Sequence, residues 1–344
     1  EAIYLKEFDK LSNKEKNFLF TASVLGMNVS VNLLSKISQL SETEIDEVAL
    51  KLQRKNLIKI DFSGKRKYLQ FADTLLYEAI YNLAPFSFRR ETHSKVFKEI
   101  YKIEGKSKPS VFPYLAYHSE RAEEKENAIK FHRLSAKMLL NRYDNTSALK
   151  HFEYVLNNTE VSEEYFEDTF KLLDIYLLLG KFEEFKQSLS SLEKFISVMS
   201  EKMIASFFNK ISELDIREGK VEEAEKNLIK SLELSNKSKD IYGKARALLN
   251  LVGRVYGPSG RYEEGMKFLK EILSLPHFEG DAIFRVTALM NLGLILRHLG
   301  NFKEAYLYYK KALNLSKKYG LFFKEPFILN NLSQLSYETS KFKK

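Results

Sequence analysis

The feature of this 344-residue sequence that most constrains its fold is a short motif that returns with a period of about 40. A glycine is followed two positions later by an aromatic or aliphatic residue, and then by Glu-Glu or Lys-Glu. The copies begin at Gly180, Gly219, Gly260 and Gly300, and the start of a fifth lies at Ser340. The spacings between consecutive copies are nearly equal, which indicates an internal repeat. A repeat of this length predicts an array of stacked structural units.

Each repeat contains two stretches whose apolar residues recur at helical spacing. We expect first helices over 245–256 and 286–299, and second helices over 262–273 and 302–315. The glycine between them ends the first helix, because glycine adopts the left-handed conformation at little cost. One helix pair cannot bury its own apolar stripe. The pairs are therefore predicted to stack as a right-handed α-solenoid whose concave face is lined mainly by the first helices.

The best-preserved copy resembles the tetratricopeptide repeat. Asn291-Leu292-Gly293, Gly300, Phe302 and Glu304-Ala305 match the family's pattern of Asn-Leu-Gly, Gly-x-aromatic and Glu-Ala. The period of about 40 is longer than the 34 residues of the standard repeat. The resemblance covers roughly residues 140–344, with degraded copies near 122–132 and 143–156. It implies that the repeats bind a protein, a peptide or a small effector.

A row of asparagines recurs on the first helices of the repeats. Its members are Asn209, Asn250, Asn291 and Asn331. In the resembled family this position faces the concave groove, where an asparagine amide holds the backbone of a bound peptide through its two donors and one acceptor. The alternative is that these amides bridge neighbouring helices. Arg246, Arg254 and Arg297 would add polarity to the same surface, and free arginines there would favour an acidic partner or a C-terminal carboxylate.

The first hundred residues lack the repeat and have a different pattern. Ser12 with Glu15, and Ser41 with Glu44, are capping-box pairs that open helices over 12–25 and 42–55. A short helix over 30–38 lies between them, and apolar runs at 57–60 and 68–71 flank a polar turn, as in a β-hairpin. Three helices followed by a hairpin predict a winged helix-turn-helix. We therefore expect a mainly α protein with two domains, namely 1–105 (winged helix plus bridging helices) and 106–344 (tetratricopeptide-like solenoid).

A winged helix raises the question of DNA binding. The cations available for contact are Lys51, Arg54 and Lys55 on the third helix and Lys65 in the wing. Glu44 and Glu47, near the start of the same helix, would meet phosphates unfavourably. A packing or regulatory role for this module is the alternative, and the residues leave both open.

The segment after the hairpin carries a second resemblance. Leu75, Glu78-Ala79-Ile80-Tyr81, Arg89 and His93 resemble, in order, a segment that follows the nucleotide-binding core in signal-transduction ATPases with numerous domains. The resemblance implies that residues 5–160 are the winged helix and bridging helices of such a protein, with a nucleotide-binding domain upstream and sensor repeats downstream. The family's phosphate-facing histidine corresponds to Asp73, which would repel a phosphate and argues against nucleotide sensing by this module.

Catalytic chemistry is not predicted. There is no cysteine, and the six histidines are scattered, so His93, His118, His132 and His151 are expected to be packing or surface residues rather than metal ligands. Gly105-Lys106-Ser107 resembles the end of a phosphate loop, but Ile100 stands where that motif needs a glycine. We expect no enzyme activity and no cofactor.

The overall balance of charges differs from that of a dedicated DNA binder, in which basic residues gather on one face. The net charge of +9 comes from interspersed signs, and no run of 18 apolar residues occurs. We expect a cytoplasmic fragment of a longer protein that acts as a regulatory or sensing arm of a signalling ATPase or transcription regulator. The alternatives are a DNA-binding regulator and a passive scaffold between proteins.

Overall fold

The computed structural model describes residues 7–63, 66–103, 108–278 and 280–341. The chain forms two compact units, Glu1–Glu160 and Val161–Lys344. The domain boundary predicted from the sequence lies earlier, at residue 105. The helices between that point and residue 160 make their contacts with the N-terminal unit.

The first unit begins with three helices and a small antiparallel sheet. Its elements are α1 (Asn13–Leu25), β1 (Asn28–Ser30), α2 (Val31–Ser38), α3 (Glu42–Arg54), β2 (Ile58–Ser63) and β3 (Arg66–Phe71). The strand order is β1-β3-β2, and Ile58 pairs with Phe71 at one end of the hairpin. The predicted helices and hairpin are confirmed. The three-residue strand β1 was not predicted, because it carries no alternation long enough to recognise.

Both predicted capping boxes are present and explain where α1 and α3 begin. The Ser12 backbone N–H donates to the Glu15 carboxylate at 2.8 Å, and the Glu15 backbone N–H donates to the Ser12 hydroxyl at 3.3 Å. Ser41 and Glu44 repeat the arrangement. The three helices and the sheet share one core, which includes Phe18, Leu19, Leu34, Ile45, Leu52, Leu69 and Phe71.

Five further helices complete the first unit. They are α4 (Thr74–Leu83), α5 (Phe86–Ile103), α6 (Phe112–Arg121), α7 (Lys125–Leu140) and α8 (Asn145–Asn158). Asp73 is the N-cap of α4, and its carboxylate accepts a hydrogen bond from the Leu76 backbone N–H at 2.8 Å. This capping bond gives the aspartate a local structural role at the position where the resembled ATPases have histidine.

The second unit is built from consecutive helices that pair as the repeat predicts. They are α9 (Glu163–Leu178), α10 (Phe182–Glu193), α11 (Glu201–Arg217), α12 (Val221–Lys237), α13 (Ile241–Asn250), α14 (Tyr262–Ser274), α15 (Asp281–His298), α16 (Phe302–Lys318) and α17 (Glu325–Lys341). The odd-numbered members are the first helices of the pairs, and the even-numbered members are the second. Consecutive helices pack on each other, and so do successive odd-numbered helices.

The turn glycines and the small residues act as the sequence predicts. Gly180, Gly219, Gly260 and Gly300 all have φ between 71° and 78°, the left-handed conformation that favours glycine. Helices also approach closely at small residues. A Cβ added at Gly293 would lie 2.6 Å from the Tyr309 ring, and one at Gly265 would lie 3.3 Å from Ile295. Close packing of the helix pairs therefore requires residues without a side chain at these crossing points, in addition to buried apolar surface.

One first helix changes its hydrogen bonding part-way along. After Asn250, α13 continues as a π-helical segment, Leu251–Tyr256, and the Gly257 backbone N–H donates to the Val252 carbonyl at 2.8 Å. A π turn accommodates one extra residue within a helix. The extra residue falls in the repeat from Gly219 to Gly260, which is one position longer than the repeat from Gly260 to Gly300.

Candidate functional site

The odd-numbered helices of the second unit carry polar side chains that bond from one repeat to the next. We call the surface that holds them the odd-helix face; it comprises Asp174 on α9, Asn209, Lys210 and Glu213 on α11, and Arg246 and Asn250 on α13. Asn250 Nδ2 donates to Asn209 Oδ1 at 3.0 Å. Asn209 is only 2% exposed, and its own Nδ2 has no hydrogen-bond partner in the part of the chain that is described. The first two asparagines of the predicted row therefore bond to each other.

A four-residue ion cluster lies beside this amide pair. Lys210 Nζ is bonded to Asp174 Oδ1 and lies 3.3 Å from Glu213 Oε2. Arg246 Nη2 lies 2.7 Å from the same Asp174 oxygen and 3.7 Å from Glu213 Oε1. Two cations thus meet two carboxylates, and the cluster spans three successive repeats.

Exposure within the cluster is uneven. The Lys210 and Glu213 side chains are 1% and 8% exposed, whereas the Asp174 side chain is 42% exposed. Both cations bind Asp174 through Oδ1. The cluster is therefore buried at the lysine and open to solvent at the aspartate.

The pKa values follow from this packing. Burial, together with the nearby Arg246 guanidinium, lowers the pKa of the Lys210 ammonium. Loss of water around Asp174 raises the pKa of its carboxyl, but the adjacent Lys210 and Arg246 outweigh that effect and leave the pKa below its ordinary value. Removing one charge from such a group leaves its buried partner uncompensated, which typically costs about 3–5 kcal/mol.

The other two asparagines predicted for the row are not bonded to this pair in the described part of the chain. Asn291 and Asn331 are half-buried on α15 and α17, and among the described residues no hydrogen bond extends the ladder from Asn250 to Asn291. The hydrogen bonding therefore joins two of the four asparagines and does not reach the other two.

The predicted arginines differ in what they contact. Arg246 belongs to the ion cluster. Arg297 is also engaged, since its Nη1 donates to Gln334 Oε1 at 2.5 Å and its Nε lies 3.8 Å from Glu338 Oε2. Arg254, in the π-helical segment, is exposed. Two of the three arginines therefore have partners within the chain, and this weakens the argument that they select an acidic ligand.

The ion cluster was not predicted from the sequence, although part of it has a sequence pattern. Asp174 and Glu213 each stand six residues before a turn glycine, Gly180 or Gly219. An acid at the same place in two successive repeats indicates that both carboxylates contact the same cation. The sequence does not identify Lys210 as that cation, because a single lysine in an amphipathic helix is usually solvated.

In the first unit, the cations predicted for DNA contact differ in exposure, and acidic residues lie at the start of the same helix. Lys51 and Arg54 are exposed on α3 and Lys55 is half-buried, whereas Lys65 lies outside the described residues. Lys67, on β3, is held by Asp46 at 2.5 Å. At the start of α3, Glu44 caps the helix and also accepts a hydrogen bond from Lys14 at 3.1 Å. The acidic start of α3 would disfavour phosphate.

The histidines of the first unit pack in pairs, and the first pair is fully buried. The Nδ1 atoms of His93 and His118 lie 2.8 Å apart, and the Tyr81 hydroxyl lies 3.0 Å from His93 Nε2. A hydrogen bond between two Nδ1 atoms requires one of them to be unprotonated, so both rings cannot be imidazolium. Burial, with Arg121 and Arg89 nearby, lowers the pKa of His93 to about 4, and burial next to His93 lowers the pKa of His118 to about 3.

A second pair has the same construction. The Nδ1 atoms of His132 and His151 lie 3.0 Å apart, and burial next to His151 lowers the pKa of His132 to about 4. No group of three or more potential metal ligands occurs within 7–63, 66–103, 108–278 and 280–341. The motif Gly105-Lys106-Ser107 lies outside the described residues.

Comparisons with known proteins support the repeat architecture. Residues 244–318 match the family model of the tetratricopeptide repeat, and this segment runs from α13 to the end of α16. A search of curated protein sequences finds no significant match. None of the described helices is long and apolar enough to cross a membrane.

The fold of the whole chain is similar to that of a solved protein. A signal transduction ATPase with numerous domains from Pyrococcus horikoshii, which has a tetratricopeptide repeat sensor, aligns over 99% of this chain with a TM-score of 0.59 and 17% identity. At this identity the likeness shows the fold alone. This chain spans 50% of that protein's length.

Two other structures are more distant. BtubC from P. vanneervenii aligns with 69% of this chain and 93% of its own (TM-score 0.46, 15% identity), and yeast Tom70 aligns with 87% of this chain and 74% of its own (TM-score 0.43, 12% identity). Neither likeness is close enough to contribute to the fold assignment.

Proposed function

We propose that this chain is a non-catalytic regulatory and sensing arm of a cytoplasmic signal-transduction ATPase or transcription regulator. In this proposal the second unit is a right-handed solenoid that binds a protein or peptide across the odd-helix face. The three helices and hairpin of the first unit are a winged helix that docks on a nucleotide-binding domain. The tetratricopeptide match over 244–318 and the likeness of the fold to a repeat-sensor ATPase support it.

The observation that carries the proposal is the polar odd-helix face. Among the described residues, Asn250 Oδ1 and the amide of Asn291, on the first helix of the next repeat, form no hydrogen bond, and the Asp174 carboxylate remains partly open to solvent. Side-chain amides can donate to and accept from the backbone of an extended peptide, and a carboxylate can accept from it. Because Arg246 and Arg297 already have internal partners, backbone recognition is better supported than recognition of an acidic ligand.

A sensing role also requires coupling between the ligand and a conformational change. A ligand shifts an equilibrium only by its difference in affinity for the two states. The ion cluster supplies a physical route, because its bonds join α9, α11 and α13 and would have to adjust if these helices moved past one another. The proposal places ligand binding beside the contacts that set the spacing of the repeats.

The test is a binding measurement with a defined array of extended peptides of varied charge. Peptides bound by the wild-type chain are remeasured in solution with the double variant Asn250→Ala/Asn291→Ala. Each hydrogen bond lost is worth about 1 kcal/mol, so the double variant should bind at least tenfold more weakly. The matched control is Asn236→Ala, an exposed asparagine on the second helix α12, which should leave affinity unchanged.

Circular dichroism checks that the double variant retains its helicity. The assignment of the odd-helix face fails if the wild-type chain binds no peptide of the array, or if the double variant binds with wild-type affinity.

A further inference from the structure

Helix α16 differs in charge from the other second helices. It carries five lysines and one acid, Glu304, between Phe302 and Lys318. Helices α10, α12 and α14 each carry more acids than lysines. All five lysines of α16 are exposed, namely Lys303, Lys310, Lys311, Lys317 and Lys318. The exposed surface of the second helices therefore changes from mixed charge to strongly positive at this helix.

The first of these lysines stands where the other second helices have an acid. Glu183, Glu222 and Glu263 lie three residues after their turn glycines, and Lys303 lies three residues after Gly300. The first turn of a helix favours negative charge, because its free N–H groups carry partial positive charge. A lysine there is locally unfavourable. The stability of α16 does not explain Lys303, whereas contact with an anionic partner does.

No carboxylate neutralises the lysines of α16 in the part of the chain that is described. Ion pairs form at Lys186 of α10 and Lys237 of α12, but at none of the five. Three of the five ammonium groups lie 5.3–5.4 Å from the centres of tyrosine rings, namely those of Lys310, Lys311 and Lys318. A ring contact attracts a cation but leaves its charge in place. The lysines are therefore available to an acidic ligand.

An exposed leucine lies among these lysines. Leu307 is 56% exposed, with lysines four residues before it and three and four residues after it. Residues at these spacings are neighbours on the surface of a helix. Lys303, Lys310 and Lys311 therefore surround Leu307. An apolar side chain surrounded by cations is complementary to an apolar side chain bordered by carboxylates.

The exposure of this side of the helix is a property of the repeat. The positions equivalent to Lys303, Leu307 and Lys310 lie 40 residues earlier on α14, and all three are exposed there, namely Glu263, Lys267 and Lys270. They are exposed although Met266 of the same helix packs against the core cluster that contains Ala305 of α16. A neighbouring second helix therefore covers a different side of the helix.

We propose that this surface binds an acidic amphipathic helix of a partner protein. We call it the lysine stripe; it comprises Lys303, Leu307, Lys310, Lys311, Lys317 and Lys318. The apolar residue of the partner helix packs on Leu307, and its carboxylates pair with the surrounding lysines. The lysine stripe lies on a second helix, so this interaction is separate from ligand binding at the odd-helix face.

Two other anionic partners fit the lysine stripe less well. Nucleic acid would contact the lysines through its phosphates, but single strands bind by stacking their bases on rings, and Leu307 has none. An anionic membrane attracts a basic helix, but binding in its interface requires an extended apolar face. The lysine stripe offers a single leucine. A protein helix uses both the charges and the leucine.

The test uses a designed peptide, since the partner helix is defined by its chemistry. A fluorescein-labelled, alanine-rich helix carries a central leucine with glutamates three and four residues to either side. The full chain is titrated into it at low ionic strength and followed by fluorescence anisotropy. We expect saturable binding that Lys303→Glu/Lys310→Glu weakens by about tenfold, because two attractions become repulsions. The matched control is Lys226→Glu/Lys230→Glu, at two exposed lysines of α12, which should bind like wild type.

The leucine contact has a measurement of its own. Leu307→Ser should weaken binding of the leucine peptide by about fivefold, because apolar surface is no longer buried. The same variant should bind a peptide with serine in place of the central leucine as the wild-type chain does. Equal losses for the two peptides would mean that Leu307 and the peptide leucine are not in contact, and would overturn the proposal.

The remaining outcomes also decide the matter. No saturable binding, or an equal loss in Lys226→Glu/Lys230→Glu, would remove the site. Tighter binding of an oligothymidine strand, or of vesicles of phosphatidylcholine and phosphatidylserine, than of the peptide would assign the lysines to nucleic acid or to a membrane. Circular dichroism checks that every variant retains its helicity. Asn250→Ala/Asn291→Ala should bind this peptide normally, which separates the result from that for the odd-helix face.

Discussion

The two units bury polar side chains in opposite ways. In the first, His93 and His118 share a hydrogen bond that requires at least one neutral ring, and the Tyr81 hydroxyl is hydrogen-bonded to the other nitrogen of His93. In the second, Lys210 is buried as an ion between two carboxylates, with Arg246 beside it. The histidine pair is held together by keeping at least one ring uncharged, whereas the Lys210 cluster is held together by balancing charges.

Because of this difference, we expect the two units to lose stability under different changes. A neutral histidine pair is lost when acid supplies protons, because both rings then carry positive charge next to each other. An ion cluster at fixed pH depends instead on every member being present, because a buried ion without its counter-charge is unstable. The first unit should therefore respond mainly to pH and the second mainly to the removal of single charges.

The largest expected effect is the loss of stability of the first unit in acid. The pKa values of His93 and His118 are about 4 and 3, below the ordinary 6.5, so their contribution is complete above pH 6.5 and is lost as pH falls toward the folded-state values. Each proton taken up on unfolding costs about 1.4 kcal/mol per pH unit, or about 5 kcal/mol for two histidines between pH 6.5 and 4.5. Urea unfolding at several pH values measures this slope.

A histidine variant makes the acid measurement specific. His118→Gln should reduce the slope by about one proton, or about 1.4 kcal/mol per pH unit. Asn32→Ala, at an exposed residue of α2 that carries no titratable group, should leave the slope unchanged. Equal slopes for His118→Gln and wild type would mean that the histidine pair does not set the acid response.

The next effect concerns the buried cation of the second unit. Lys210→Met keeps the side-chain length but leaves Glu213, which is 8% exposed, with only the more distant Arg246. The free energy of unfolding of the second unit should fall by about 3 kcal/mol. Two-transition urea unfolding, with each unit followed separately, gives this value.

Lys202→Met is the control for Lys210→Met on the same helix, because Lys202 and its partner Glu167 are both largely exposed. An exposed ion pair contributes at most about 1 kcal/mol. If the two variants lose the same stability, the cluster is no more important than a surface pair.

The smallest effect compares how helices begin in the two units. Helix α3 has a side-chain cap, so Ser41→Ala should destabilise the first unit by about 1 kcal/mol. Helix α14 has no side-chain capping bond and relies on acids in its first turn, so Glu263→Gln should cost only about 0.5 kcal/mol. Thermal unfolding at low and high salt distinguishes the two kinds of helix start, since salt should reduce only the loss of stability caused by Glu263→Gln. A salt-dependent Ser41 effect would contradict this distinction.

Much of the fold could be predicted because its determinants are local. The turn glycines, the capping boxes at Ser12 and Ser41, and the apolar spacing within each helix act over a few residues, and the structure reproduces the predicted helices with shifts of a few residues at their ends. The strand β1 could not be predicted, because its three residues form a strand only by pairing with β3.

The candidate site was harder to predict because it depends on register between repeats. The four asparagines recur in the sequence at nearly equal spacing, yet among the described residues only Asn209 and Asn250 are joined by a hydrogen bond. The Lys210 cluster joins residues that are 36 and 72 positions apart, so its partners become visible only when the repeats are stacked. The period of the repeat locates the helices in the sequence. The contacts between helices depend in addition on how each helix is rotated about its own axis, which the period does not give.

The π-helical segment at Leu251–Tyr256 has a consequence for how such an array changes in length. An added residue is taken up inside a single wide turn. The residues before and after that turn therefore keep their rotational positions around the helix axis. Insertions of this kind are confined to the repeat in which they occur, and the array tolerates units of unequal length without rebuilding their neighbours.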